Sequence, residues 1–390
     1  MKTRLLALLC LLVLPGLAAA MALAIDLPHN AANLPSASQA PVALLADLSA
    51  GQVLFAREAD KRFLPASMTK AMTALVAFDL IKAKKLHEDT VVMVRPETAN
   101  RWAGKGTSLN LRPGERVKIG DLLMGTTTVS ANDAAVALAE AASGSVEAFA
   151  AHMNTRAAAL GMKGSHFSNP SGFPDRGQTY VTANDMVRLA TALITQHPAL
   201  YAKYFGKRSM QWRGGQYNSH DPFAGVLLGA DGIKTGHTFE AGFNFLGAVE
   251  RDGRRLVLVI GGSPTEPGRA AAAKALAEWG YSAWQSYAFL PAGTVIGEAK
   301  VQGGNQRRVP LIVPRAFALS VPKGQQPKVT GRIVYSGPLK APFEGGTPLA
   351  TLELTIPGQP VHSLPLVSLN AVSPAGPIDR IVNALLGLFE

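Results

Sequence analysis

Pro65-Ala66-Ser67-Met68-Thr69-Lys70 heads a run in which Met68, Met72, Leu75, Val76 and Leu80 recur at helical spacing, as far as about Lys84. The pattern predicts a helix that begins at Ser67. A helix start gives Ser67 free backbone N–H groups and the positive end of the macrodipole. It also puts Lys70 one turn later on the same face. A serine hydroxyl is a poor nucleophile until a base takes its proton. Lysine can be that base only when neutral, which burial and a second nearby cation favour.

Two further short motifs follow in order. Ser130-Ala131-Asn132 precedes a helical pattern in a stretch rich in Thr and Ser, and Lys234-Thr235-Gly236 lies where a strand begins. Each is weak alone: Ser320-Val321-Pro322-Lys323 repeats the first pattern and Ser368-Leu369-Asn370 the second. The order, the separations and the settings at element starts make the set a serine acyl-transfer constellation. The Ser130 hydroxyl is placed to pass a proton to a leaving amine, and the Asn132 amide to hold a substrate carbonyl or Lys70. Lys234 can depress the pKa of Lys70, and with Thr235 it can bind a carboxylate. Gly236 is read as room for an extended substrate, which would add to the strand as a new edge. The backbone N–H groups of Ser67 and His237 are the candidate oxyanion hole, with His237 contributing main chain only.

The chain of 390 residues is long enough for two or three domains, and 47% hydrophobic residues fit a globular protein. The net charge of +11 is spread, with no basic run and no aromatic interleaving, so a nucleic-acid partner is not expected. An anionic polymer or lipid suits that field. Lys2 and Arg4, the apolar run Leu5 to Leu17 and the small residues Ala18-Ala19-Ala20 and Ala22-Leu23-Ala24 read as a signal peptide, residues 1–24. Cleavage is expected near Ala20 or Ala24; an uncleaved interfacial anchor is the alternative. Cys10, the one cysteine, lies inside this segment, so the mature protein is expected to hold no disulfide and no thiolate nucleophile. The eight histidines show neither H-E-x-x-H nor close pairing, and neither metal nor cofactor is expected.

Ala43–Asp47 and Val53–Ala56 read as strands of a hairpin turned at Ser49-Ala50-Gly51. Helices are expected over 133–142, 146–160 and 184–194, with Thr182 near an N-cap and Gly161 near a C-cap. Strands from Gly232, over 244–249 and over 256–260 follow, the last two joined at Arg251-Asp252-Gly253-Arg254, and a helix over 269–279 closes the region. The expected catalytic fold, over 25–288, is therefore α/β (α+β): one antiparallel sheet carrying helices. From Pro291 the pattern changes to short β runs punctuated by Gly and Pro, a small sandwich-like domain over 289–373. After Pro374, residues Ile378, Ile381, Val382, Leu385, Leu386 and Phe389 share one helical face. This amphipathic segment, 374–390, is too short to cross a bilayer but can lie on a membrane surface. A helix packed on the β domain, or a frayed tail, is the alternative.

The sequence resembles the low-molecular-mass penicillin-binding proteins, the serine D-Ala-D-Ala carboxypeptidases, whose motif set is shared with the β-lactamases. The resemblance rests on Pro65-Ala66-Ser67-Met68-Thr69-Lys70, Ser130-Ala131-Asn132-Asp133-Ala134, Phe167-Ser168-Asn169-Pro170-Ser171-Gly172 and Asp231-Gly232-Ile233-Lys234-Thr235-Gly236-His237-Thr238. It runs from about residue 35 to 285, and the β domain and terminal helix resemble the same family. The resemblance implies removal of the terminal D-alanine from peptidoglycan pentapeptide stems through a Ser67 acyl-enzyme. β-Lactams would acylate the same serine. Lys70 would be the general base, Ser130 the proton relay, Asn132 the orienting amide, and Lys234 with Thr235 the carboxylate site. It implies a periplasmic protein attached peripherally to the inner membrane. One departure stands out: the loop Gln216-Tyr217-Asn218-Ser219-His220-Asp221 lacks the arginine that some members use to hold the terminal carboxylate. Arg213, His220 and Arg269 are the substitutes to consider.

A class A-like β-lactamase needs a glutamate between the second and third motifs to activate the deacylating water. Only Glu140 and Glu147 lie there, within expected helices soon after Asn132, and slow β-lactam turnover is the expectation. A DD-endopeptidase on the same fold stays open, and a non-catalytic wall-binding scaffold is disfavoured by the complete motif set.

Overall fold

The computed structural model describes residues 33–326, 328–356 and 361–379. The expected signal segment and all but the first few residues of the expected terminal helix lie outside the described residues. Five antiparallel strands form the central sheet, in the order Gln52–Arg57, Val42–Asp47, Arg254–Ser263, Gly242–Arg251 and Ala230–Thr238. The N-terminal hairpin thus joins the strands that follow it nearly two hundred residues later, Val42 facing Gly261 and Asp47 facing Leu256. Ala230–Thr238 is an edge strand, and its outer side faces the helices that carry the other two motifs.

Both faces of the sheet are covered, which is why its strands read as nearly unbroken apolar runs. Successive side chains point to opposite faces. Val42, Leu44, Ala46, Leu246, Ala248, Val257 and Val259 join the core beneath the helices Lys70–Lys82, Asn132–Ser143, Val146–Ala159 and Ala183–Gln196. Ala43, Leu45, Phe245, Leu256, Leu258 and Ile260 join a second core beneath the helix Glu266–Ser282. The helix Lys70–Lys82 is buried continuously from Lys70 to Phe78, so it is a central helix and its pattern is apolar nearly all round. Capping follows the sequence where it was legible: Thr182 accepts from the Asp185 N–H, and Gly161 takes a positive φ of 70° just past the helix Val146–Ala159.

Two features depart from expectation. The first turn at Ser67 is not α-helical: Ala66–Thr69 is wound as a 3₁₀ turn and the α-helix begins at Lys70. The helices Pro96–Trp102, Ile119–Met124 and Pro198–Tyr204, each two turns or less, carried too little periodic signal to be read.

The C-terminal region holds a six-stranded sheet and a two-stranded ribbon, Trp284–Leu290 with Phe317–Pro322, which share one core through Leu319, Val309, Leu311, Leu352 and Leu366. The strand Trp284–Leu290 precedes Pro291, so the expected boundary at residues 288–289 cuts through a strand. The cause is visible in Tyr287 and Phe289, which pack on the β core although the composition has not yet changed. A polar seam joins the two regions. Asp47, fully buried, accepts from Arg254 Nε and Ser320 Oγ at 2.6 Å each, and the Gln52 side chain bonds the Ser320 backbone on both sides. Arg254 also donates to the carbonyls of Gly280 and Trp284. Among the described residues no single helix is long and apolar enough to cross a membrane.

Candidate active site

The three motifs meet at one cleft of about 450 Å³, between the edge strand Ala230–Thr238 and the helical side. Ser67, Ser130, Asn132, Thr235, Gly236 and His237 line it, while Lys70 and Lys234 are buried behind the lining. The two look-alike motifs lie elsewhere: Ser320 serves the seam, and Ser368 Oγ donates to the Glu344 carbonyl.

The helical side is tightly built. In a 3₁₀ turn residues i and i+3 eclipse, so Lys70 lies directly behind Ser67. Its Nζ is 2.8 Å from Ser67 Oγ, 2.7 Å from Asn132 Oδ1 and 2.6 Å from the Ser171 carbonyl oxygen. Burial, and then the charge of Lys234, hold the Lys70 amine well below the usual lysine pKa, while Asp133 pulls the other way. A neutral amine donates to two acceptors and keeps its lone pair for the Ser67 hydroxyl proton. Ser130 follows the wide π turn Gly125–Val129 and takes a left-handed φ of 71°. Asp133, 1% exposed, accepts from Ser108 Oγ and from the backbone N–H groups of Leu109 and Leu111. It thereby ties the loop at the cleft rim to the Ser130 turn.

Ala66 also holds a positive φ, 47°, which is costly for a residue with a β-carbon. Two glycines press on this turn, Gly172 on Ala66 and Gly236 on its neighbours. A β-carbon on Gly172 would stand 1.8 Å from the Ala66 carbonyl oxygen, and one on Gly236 would stand 2.2 Å from the Pro65 carbonyl oxygen and 3.2 Å from the Ser67 nitrogen. The missing side chain of Gly236 therefore makes room first for the protein itself, where sequence reasoning assigned the space to a ligand. The same contact brings the strand backbone beside the Ser67 N–H.

The strand side is built of charges. Lys234, 4% exposed, donates to the Thr235 carbonyl at 3.1 Å. Burial lowers its pKa to about 7, Asp221 opposing and Arg269 adding to the fall. His220 and Arg269 line the cleft, and Arg269 pairs with Glu266 at 3.0 Å while its buried Nε has no hydrogen-bond partner. Arg213 is spent elsewhere, on the carbonyls of Leu109 and Asn110 and on Glu115. The His237 ring stacks on Phe243 with centroids 3.8 Å apart, which leaves its main chain for the cleft.

Sequence reasoning did not find the Ser171 carbonyl, the Asp133 anchor or the Asp221 carboxylate beside Lys234, and it named Arg269 only as one of three substitutes. A backbone acceptor carries no residue-type signal. Asp133 was visible as an acid in a first helical turn, but its partners come from a loop more than twenty residues earlier.

The profile of the family described as D-alanyl-D-alanine carboxypeptidase matches residues 29–265, and that described as penicillin-binding protein 5, C-terminal domain, matches residues 284–374. The D-alanyl-D-alanine carboxypeptidase DacA of Haemophilus influenzae is 32% identical over 353 residues, 89% of this chain and 90% of the relative. DacD of Salmonella typhimurium is 31% identical over 355 residues, 89% and 90% of the two chains. Among solved structures, penicillin-binding protein 5 of Haemophilus influenzae superposes with a TM-score of 0.77 at 30% identity, over 87% of this chain and 99% of that one. The ampicillin-bound penicillin-binding protein D2 of Listeria monocytogenes superposes with a TM-score of 0.56 at 29% identity, over 63% and 98%.

Proposed function

The chain belongs to the D-alanyl-D-alanine carboxypeptidase family and is a serine-type DD-carboxypeptidase, and we propose that Ser67, Lys70 and Ser130 carry its chemistry on the terminal D-alanine of peptidoglycan pentapeptide stems. The observation that carries the reading is the Lys70 amine, fully buried, short of its usual basicity and 2.8 Å from the Ser67 hydroxyl.

Ser67 Oγ attacks the carbonyl carbon of the penultimate D-alanine as Lys70 Nζ takes its proton. The oxyanion is held by the N–H groups of Ser67 and His237, for which the close approach of Gly236 to the Ser67 nitrogen is the support. The proton passes through Ser130 to the departing D-alanine nitrogen, the C–N bond breaks, and an ester on Ser67 remains. Water then attacks that ester and gives its proton to Lys70, which passes it to Ser67 Oγ as the ester C–O bond breaks and the shortened stem leaves. Asn132 orients Lys70 and the acyl chain. Lys234, Thr235 and Arg269 receive the terminal carboxylate. Arg269 is the substitute for the arginine missing from the loop before the strand, because it lines the cleft with a donor to spare whereas Arg213 is engaged outside it.

β-Lactams acylate Ser67 as substrate mimics, and the ester turns over slowly. Glu140 bonds to Thr98 and lines a neighbouring cavity, and among the described residues lining the cleft the one carboxylate, Glu266, is paired with Arg269. The sequence pattern supports export by residues 1–24 and peripheral attachment to the inner membrane through 374–390. A chain truncated before Pro374 that stayed on the membrane as firmly as the whole would refute the attachment.

Incubating the protein with a pentapeptide ending in D-Ala-D-Ala should release free D-alanine. A fluorescent penicillin should label the wild type covalently and leave Ser67→Ala unlabelled. Release of no D-alanine alongside normal penicillin labelling would leave an acylating enzyme with another substrate, and rapid penicillin hydrolysis would favour a β-lactamase.

A further inference from the structure

Residues 167–172 reach the catalytic amine through the Ser171 carbonyl, whose oxygen lies 2.6 Å from Lys70 Nζ. That oxygen and the Gly172 N–H belong to one trans peptide plane and point in opposite directions. The N–H donates to Asn169 Oδ1 at 2.8 Å. The plane is therefore gripped from both ends, by the Lys70 amine and by the Asn169 amide.

Such a grip is needed at this position. Gly172 takes a φ of 70°, and glycine adopts either sign of φ at little cost. Turning over the peptide plane of a tight turn, the change that separates type I from type II, needs only one ψ and the following φ to rotate by about half a turn. Turned over, this plane would withdraw the Ser171 carbonyl and present the Gly172 N–H to Lys70. That N–H would donate to the amine lone pair, which the Ser67 proton needs.

Asn169 is bonded on both sides of its amide. Its Oδ1 also accepts from the Ser171 N–H and the Ser171 hydroxyl, at 3.1 Å each. Its Nδ2 donates to the Phe173 carbonyl and to Asp175 Oδ2 at 3.2 Å each. Asp175 is itself held by the Ser168 and Thr179 hydroxyls and the Thr179 N–H. On the other flank Thr73 Oγ1 donates to the Pro170 carbonyl at 2.6 Å, which ties the turn to the helix Lys70–Lys82.

We propose that Asn169 is a positioning residue of the acyl transfer: it latches the Ser171–Gly172 peptide so that Lys70 meets a carbonyl there and turns its lone pair to Ser67. The inference rests on the reading of Lys70 as the base. The Asn132 and Ser171 oxygens then take both hydrogens of the neutral amine, and the Ser67 direction is left to the lone pair. Asp175 keeps the latch in register by holding its Nδ2.

The test measures D-alanine release from a D-Ala-D-Ala peptide by the full-length protein. Asn169→Ala should lower kcat about 10–100-fold, with KM held within about twofold. Asn169→Asp keeps the acceptor but sets a second carboxylate against Asp175, and it should lose as much. Adding Asp175→Asn to that variant should restore kcat to within about fivefold of the wild type. The acid limb of kcat/KM separates positioning from loosened packing. The charged neighbours that act on Lys70 are Lys234 and Asp133, and these variants leave both in place. An N–H in place of a carbonyl disfavours the ammonium form, so Asn169→Ala should move the limb lower by about 0.5–1 pH unit. Water admitted to a loosened site would favour the ammonium form and move it higher. A limb that stayed or rose, or a double variant no faster than Asn169→Asp, would overturn the latch while leaving the base reading intact. A wild type without an acid limb would overturn both.

Discussion

The two walls of the catalytic cleft are finished to different degrees. On the helical wall the Lys70 amine meets three oxygens, the Ser130 turn is tied down through Asp133, and the turn from Pro65 to Met68 is packed against Gly172 and Gly236. On the strand wall two buried cations stand together, Lys234 with the Thr235 carbonyl as its acceptor and Arg269 with an idle Nε. The wall proposed to move a proton has its hydrogen bonds in place without substrate, as preorganised catalysis requires. The wall proposed to receive a carboxylate keeps one buried donor unpartnered, although Glu266 pairs with Arg269 and Asp221 acts on Lys234. Damage to the first should therefore appear in kcat and damage to the second mainly in KM.

The largest effect is expected at the base. Lys70→Arg replaces a neutral amine by a permanent cation, since a guanidinium does not deprotonate in proteins, and acylation by a fluorescent penicillin should slow by about 10²–10⁴-fold. A smaller drop would mean that the proton leaves Ser67 by another route. Gly236→Ala strikes both walls at once. Its methyl would meet the Pro65 carbonyl, and the displaced Ser67 turn should cost about 10²-fold in kcat. If only KM rose, the glycine would serve the ligand after all.

Arg269→Ala tests the strand wall alone. Loss of a charged hydrogen bond should raise KM for a D-Ala-D-Ala peptide by about 10–100-fold with kcat nearly unchanged. A substrate with its terminal carboxylate amidated should not feel the change. The smallest effect is a pH limb. Lys234 is cationic below its pKa of about 7 and neutral above it, so kcat/KM should fall as pH rises through that value. The amidated substrate should lack that falling limb, and its persistence there would assign the titration to another group.

Much of this contrast was legible in the sequence on one side and little on the other. Ser67, Lys70, Ser130 and Asn132 belong to short, ordered motifs at element starts, and the apolar runs in Val42–Asp47 and Leu256–Ile260 mark the sheet that spaces them. The strand wall was legible at Lys234-Thr235-Gly236, whereas Arg269 was legible only as one of three substitutes, because it arrives from the first turns of a later helix and is defined by what surrounds it. Nor was the reason for Gly236 legible, because a clash with Pro65 exists only once the chain has folded back. The 3₁₀ turn at Ala66–Thr69 escaped for a similar cause: periodicity cannot separate one tight turn from the helix it feeds.

The seam at Asp47 has a mechanical consequence. The β region is not hung on a swivel at Ala283; it is riveted to the sheet through a carboxylate shared by Arg254 and Ser320, with Gln52 gripping the Ser320 backbone alongside. Those rivets sit in three adjoining strands of the central sheet. A displacement of the β region is therefore passed to the central sheet through Asp47, Gln52 and Arg254 together, and not through the single covalent link at Ala283.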